Sequence, residues 1–317
     1  MVDISRNPRW GRIIEGAGED PYLGSAIARA RVKGFQGDDL SAPNTIAATV
    51  KHFAAYGAPE AGREYNSVDM SERSLREAYL PPYKAALDAG AATVMSAFNT
   101  LNGVPAVMDP FLMRQILRNE WQFNGTVVTD YEAIKELIAH GVAKDLQDAA
   151  LKAFNATTDM DMMANAYTGH LPALLAEQKI TETQLNDAVR RILQLKNRLG
   201  LFEGPYKYLP DAKTRDAIVF SDKHRALARD IAKRSIVLLK NDNKLLPLPK
   251  KMRTLAVIGP MADSKEDQNS TWALFSKPDD PVSILQGIKN AVDPKTKIIS
   301  TAGCSFLFAC DAKDIAK

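Results

Sequence analysis

Short apolar runs alternate with amphipathic stretches through the first two hundred residues. The runs are MVDIS (1–5), ATVKHFA (48–54), ATVMSAFN (92–99), GTVVTDY (125–131) and TTDMDMM (157–163). Each is short and mostly apolar, as strands covered on both faces should be. Helical periodicity fills the gaps at 20–36, 71–89, 110–119, 145–154 and 170–178. Ser71 can cap the second of these and Gly90 can end it, with Pro81-Pro82 predicted to break it. Strand–helix alternation predicts parallel strands joined by crossovers. A longer helix is predicted at 182–199, opened by a Thr181–Gln184 capping box and closed at Gly200. The stretch 204–220 mixes Gly, Pro and charge and reads as a linker between a unit at 1–203 and a second at 221–317. The second unit reads as helix 222–234, extended 235–241, strand 254–260, helix 281–292 and strand 296–303. Five strands is an awkward number for the first unit, because a closed barrel of this kind has eight. Either the sheet is open or the chain starts in the middle of a barrel.

Composition narrows the function classes. The chain has 317 residues, 41 basic against 38 acidic, for a net charge of +3. That excess gives no argument for a nucleic-acid partner or an anionic membrane surface. No apolar run is long enough for membrane insertion, and residues 1–20 carry no signal-peptide pattern. The only cysteines, Cys304 and Cys310, exclude a disulfide scaffold and a four-cysteine zinc site. No H-E-x-x-H, G-x-S-x-G or C-x-x-C occurs, and EGAGED (15–20) fails G-x-G-x-x-G. No metal and no cofactor is expected.

In parallel α/β folds, reactive side chains gather at the C-terminal ends of strands. Those ends supply Arg12, Lys51 and His52, then Met95, Ser96 and Phe98, then Asp130 and Tyr131. Asp130 can be a nucleophile, general base or metal ligand, or the N-cap of a helix starting near Ala133. Lys51 can form a Schiff base, which would make a lyase or aldolase, or Lys51 and His52 can donate to a polar ligand. Either can equally be paired inside the structure. NPRWGR (7–12) offers an apolar wall and a guanidinium fork, or a structural ion pair.

Several long stretches together resemble glycoside hydrolase family 3, and within it the bacterial periplasmic β-glucosidases. They are MVDISRNPRWGRIIEGAGEDPYL, VKHFAAYGAPEAGREYNSVDMSERSLREAYLPPYKAALDAG, VMSAFNTLNGVPA and GTVVTDYEAIKELIAHGVA, followed by SIVLLKNDNKLLPLPKKMRTLAVIGPMADS. The resemblance implies a (β/α)8 barrel, here strands four to eight, followed by the opening part of an α/β sandwich. It implies retaining hydrolysis of β-linked glucosides, with Asp130 as nucleophile. Arg12, Lys51 and His52 would hold sugar hydroxyls, and Met95, Phe98 and Tyr131 would line the pocket.

Retention needs two carboxyl groups about 5 Å apart. The family's acid/base Glu would lie beyond Lys317, and its other sugar-binding Asp would precede Met1. The chain is therefore expected to be an internal fragment of an exported parent, with Met1 an internal residue. By itself it is expected to be inactive and prone to associate through unpaired sheet edges, or to bind sugar without turnover. KHFAAYGAPEAGREYN lacks the second His of the family's N-acetylglucosaminidases, which argues against amino-sugar specificity.

Overall fold

The computed structural model describes residues 1–269, 272–273, 277 and 279–304. Cys310 lies outside the described residues. The chain divides into two compact units, Met1–Arg215 and Asp216–Lys317.

The first unit is built on a parallel sheet of β1 (Thr49–Phe53), β2 (Thr93–Ser96) and β5 (Thr126–Val128), in that spatial order. A small antiparallel hairpin, β3 (Thr100–Leu101) with β4 (Val104–Pro105), lies between β2 and β5 in sequence. Val50, Phe53, Val94 and Val127 are buried, and helices pack over them through Tyr83, Leu112, Met113, Ile116, Ile134, Leu137 and Phe154. That burial is what makes the strand runs nearly continuous in apolar residues.

Two predicted strands do not form as such. MVDIS and the residue after it send their donors to scattered partners: Val2 N–H to Lys51 O, Ser5 N–H to Gly18 O and Arg6 N–H to Gly57 O. It is thereby pinned beside β1 without a ladder. In 157–163 only Met160 makes a bridge, to Val128. There the Asp159 carboxylate accepts the Val127 N–H at 2.8 Å, taking a donor that a ladder would use.

Helix signals fared better. Ser71 caps its helix through the Ser74 N–H, and the Thr181–Gln184 capping box forms. Gly200 turns the chain at φ +63°. Pro81 does not stop the helical path. A wider turn over Leu75–Tyr79, closed by Leu80 N–H to Leu75 O, precedes Pro81–Asp88, where Pro81 needs no donor. Ala166–Ala176 begins before the predicted 170, and Phe111–Glu120 is likewise a wide helix. The 204–220 stretch is not featureless, since it carries a helix at Ala212–Ile218.

The second unit carries a fully exposed helix, Asp222–Ser235, and a parallel pair, β6 (Thr254–Ile258) with β7 (Lys297–Thr301). The helix Ile284–Ala291 connects them, capped by Ser283. Among the described residues no helix is long and apolar enough to cross a membrane.

Candidate active site

Every site residue predicted from sequence lies in the first unit. Arg12 sits just before the short turn Ile13–Glu15; Lys51 and His52 are in β1; Met95 is in β2 and Phe98 just past it; Asp130 and Tyr131 follow β5. One glycine is essential to this convergence. A Cβ on Gly57 would come within 2.3 Å of the Ile4 carbonyl oxygen, so only glycine lets the chain after β1 press against residues 1–5. The Lys51–His52 and Phe53–Ala54 peptides are cis.

Three predicted residues meet directly. His52, fully buried, has Nε2 at 3.1 Å from Arg12 Nη2 and at 3.4 Å from Asp130 Oδ2. The Asp130 side chain is 16% exposed, so one edge of its carboxylate reaches the surface. Oδ1 accepts the Tyr131 N–H at 2.7 Å. Asp130 is not the helix cap. Glu132 holds that position, before Ala133–Ala139, without a side-chain cap bond. Asp130 is therefore turned toward His52.

Arg12 is fixed on its other side by Glu15, through Nε at 2.6 Å and Nη2 at 3.0 Å. Its guanidinium lies 5.3 Å from the Tyr56 ring centroid. Burial alone would raise the Glu15 pKa, but the bond and charge of Arg12, with Lys51 and His52, hold it below the usual range. Tyr56 donates to Glu64 Oε1, and burial together with that carboxylate pushes its phenol far above the normal range. Phe98 packs 4.9 Å from Tyr65 and 6.0 Å from Tyr56, making an aromatic wall. Tyr131, 57% exposed, stands next to Asp130 at the rim. Lys51 is half-buried, and Met95 lies beside Val128 in the sheet. The Ser96 hydroxyl is buried with no hydrogen-bond partner among the described residues.

Sequence reasoning missed Asp3, Glu15, Tyr56, Glu64, Tyr65 and Tyr83. Asp3 carried a signal, since a carboxylate inside an apolar run has to be buried with partners. Its Oδ2 accepts the His52 main-chain N–H at 2.9 Å and lies 3.1 Å from Nδ1, and its Oδ1 accepts from Tyr83. Burial would raise its pKa, but His52 and Tyr83 hold it below the usual range. Tyr83 meets Asp3 from 80 residues away, and Glu15, Tyr56, Glu64 and Tyr65 lie in irregular stretches where no periodicity marks which side chains turn inward.

The site also strains one neighbour. Glu136 is pushed up by burial first, then by the charges of Asp130 and Glu132. A folded pKa above the unfolded value of about 4.3 makes ionised Glu136 a cost that appears as pH rises through the folded value. Glu136→Gln should therefore raise the thermal midpoint at pH 7, with the gain vanishing near pH 4. Equal shifts at both pH values would refute this.

A buried imidazole and guanidinium against a partly open carboxylate, walled by aromatics, can grip hydroxyls and present an anion to a carbon centre. The Glycosyl hydrolase family 3 N terminal domain profile matches residues 1–195, and the C-terminal domain profile matches 236–312. A periplasmic β-glucosidase of Salmonella typhimurium is 47% identical over 96% of this chain and 40% of its own length. A β-xylosidase of Formosa agariphila is 37% identical over 93% of this chain and 43% of its own. The crystal structure of a Listeria innocua β-glucosidase with glucose superposes at TM-score 0.90 with 41% identity, covering all of this chain and 43% of that one. The chain thus spans about two fifths of the length of these relatives. On the matched domains and on these relatives, the chain belongs to glycosyl hydrolase family 3.

Proposed function

We propose that the protein carrying this chain is a retaining β-glucosidase with Asp130 as its nucleophile. The observation that carries the reading is the Asp130 carboxylate. It stands at the C-terminal end of a parallel strand, partly open, with one oxygen held by the Tyr131 N–H and the other beside His52 Nε2. In the proposed reaction an Asp130 oxygen attacks the anomeric carbon. The bond from that carbon to the leaving oxygen breaks, and a glycosyl ester forms. Water then attacks the same carbon, releasing glucose and restoring the carboxylate. Each attack inverts the centre, so the β configuration is retained.

Arg12 and Lys51 would hold the sugar hydroxyls, with His52 acting through the Arg12 guanidinium. They assist turnover as far as they grip more tightly when positive charge develops on the ring than before. Phe98 and Tyr131 would face the apolar ring surface and Met95 the pocket floor. The sheet β1-β2-β5, flanked by 1–5 and 157–163, is read as strands four to eight of a (β/α)8 barrel. Residues 1–203 would then be catalytic, 204–220 the linker and 221–317 the start of a sandwich domain. The proton donor for the leaving group is assigned to a glutamate in a longer form of that second domain. A periplasmic location follows the name of the Salmonella relative.

β-Xylosidases among the relatives favour a second reading of the substrate, with the same chemistry on a xyloside. One experiment addresses both. Full-length protein is mixed with aryl β-glucoside or aryl β-xyloside and the first-formed sugar is followed by NMR. β-Glucose appearing first, with the glucoside hydrolysed faster, is the expected result. α-Glucose first, or no hydrolysis, would overturn the proposal, and a faster xyloside would overturn its sugar assignment.

A further inference from the structure

Asp3 and Tyr83 lie behind the residues assigned to the sugar, and neither faces the pocket. Both are buried, at 1% and 0% exposure. Asp3 Oδ2 accepts the His52 main-chain N–H at 2.9 Å and sits 3.1 Å from Nδ1 of the same residue. The Tyr83 hydroxyl reaches both Asp3 Oδ1 and the His52 carbonyl oxygen. The same two side chains therefore hold the main chain of His52 at both ends and its ring at one nitrogen.

A carboxylate can only accept, so the proton of a neutral imidazole belongs on Nδ1. Nε2 is then a bare acceptor. Arginine can only donate, and its Nη2 is 3.1 Å from that lone pair. A proton on Nε2 would turn it away from Arg12 and toward Asp130 Oδ2 at 3.4 Å, tying up the oxygen that attack requires. We infer that Asp3 and Tyr83 are positioning residues for the glycosidase reaction. They fix His52 as the Nδ1–H tautomer, so that its bare Nε2 orients Arg12 and leaves Asp130 Oδ2 free to attack. This rests on Asp130 being the nucleophile.

The groups facing the ring are Asp3, Arg12, Tyr56, Tyr83 and Asp130, with Glu15 and Lys51 beside them. Among these Asp3 alone accepts at Nδ1, so replacing its carboxylate should change which ring nitrogen carries the proton.

The test uses full-length protein with 15N-labelled histidine. The His52 signals are identified by their loss in His52→Gln. At neutral pH the native protein should show Nδ1 protonated and Nε2 bare. In Asp3→Asn, whose amide can donate as well as accept, the proton should move partly to Nε2. Turnover should fall by about 10²-fold with KM changed less than about threefold. Tyr83→Phe keeps the carboxylate, so it should keep the Nδ1 proton and lose about tenfold in turnover.

A purely structural role would reduce the folded fraction and leave turnover per folded molecule and the imidazole signals of Asp3→Asn unchanged, and that result overturns the inference. So does native turnover in either variant. Should Asp3→Asn fail to fold, Tyr83→Phe decides by turnover per folded molecule: a loss of about tenfold with KM little changed supports the inference, and native turnover overturns it. The two readings fail separately. Native turnover in Asp130→Asn sinks the assigned nucleophile, while the imidazole signals still report on Asp3. An inactive Asp130→Asn beside a normal Asp3→Asn sinks only the positioning role.

Discussion

Asp130→Gly in the full-length protein is expected to lower turnover of an aryl β-glucoside by about 10⁴-fold or more, about 5.4 kcal/mol of barrier at about 1.36 kcal/mol per decade. The size follows from the step removed. Without the carboxylate no glycosyl ester can form, and water must attack directly from a site built for a covalent intermediate. Arg12 and Lys51 remain and would still hold the sugar, so substrate binding should survive.

A collapsed pocket would give the same loss, and azide separates the two cases. In an intact pocket azide can occupy the space left by the carboxylate, attack from the same side and release α-glucosyl azide with partial recovery of rate. A small substituent at Asp130 is sterically undemanding, because its carboxylate is partly open and lies outside the apolar core. Native-like turnover in Asp130→Gly, or loss without azide rescue in a folded protein, would contradict the assignment.

Asp159→Ala is expected to have the largest effect on stability, about 3–5 kcal/mol. The Asp159 side chain is wholly buried. It accepts from Arg118 Nη2 at 2.6 Å, from Arg191 Nε at 2.9 Å and from the Val127 N–H at 2.8 Å. Burial lowers the Arg118 pKa, Asp159 opposes that shift, and the like charge of Arg191 adds to it. Removing the carboxylate leaves two guanidinium groups facing each other without the anion between them, and an N–H in the sheet without its acceptor.

The exposed pair Arg73–Glu77 has a comparable 2.8 Å contact but stands in water, so breaking it should cost less than about 0.5 kcal/mol. Urea unfolding of the first unit should show the midpoint falling sharply for Asp159→Ala and hardly at all for Glu77→Ala. Similar midpoints for the two variants would refute the ranking.

What could be read from the sequence was whatever depended on near neighbours. β1, β2 and β5 are apolar runs covered on both faces, and Thr181 and Ser71 cap helices through donors three residues on. Asp130 stood out because a carboxylate directly after GTVVT has to emerge at a strand end. The misses have a common cause. MVDIS has the composition of a strand, but its donors and that of Arg6 go to Lys51, Gly18 and Gly57, and no local pattern foretells that division. TTDMDMM lost most of its ladder because its own Asp159 took the Val127 N–H. Pro81-Pro82 read as a break, yet the wide turn before them satisfied the backbone.

The same limit applies to the site. Asp3 meets His52 and Tyr83 across distances in sequence that no periodicity spans. Glu15 and Glu64 looked like ordinary surface acids until the fold placed them around Arg12 and Tyr56.

The most direct measurement is to find where the sugar becomes attached. A 2-deoxy-2-fluoro β-glucoside with a good leaving group slows release of the ester more than its formation, so the intermediate accumulates on full-length protein. Peptide mass analysis should then find one fluorodeoxyglucosyl group on the fragment containing Asp130, and none after Asp130→Gly. A label on Glu15, Glu64 or Lys51, or continued turnover of the unmodified glucoside with Asp130 never labelled, would contradict the account.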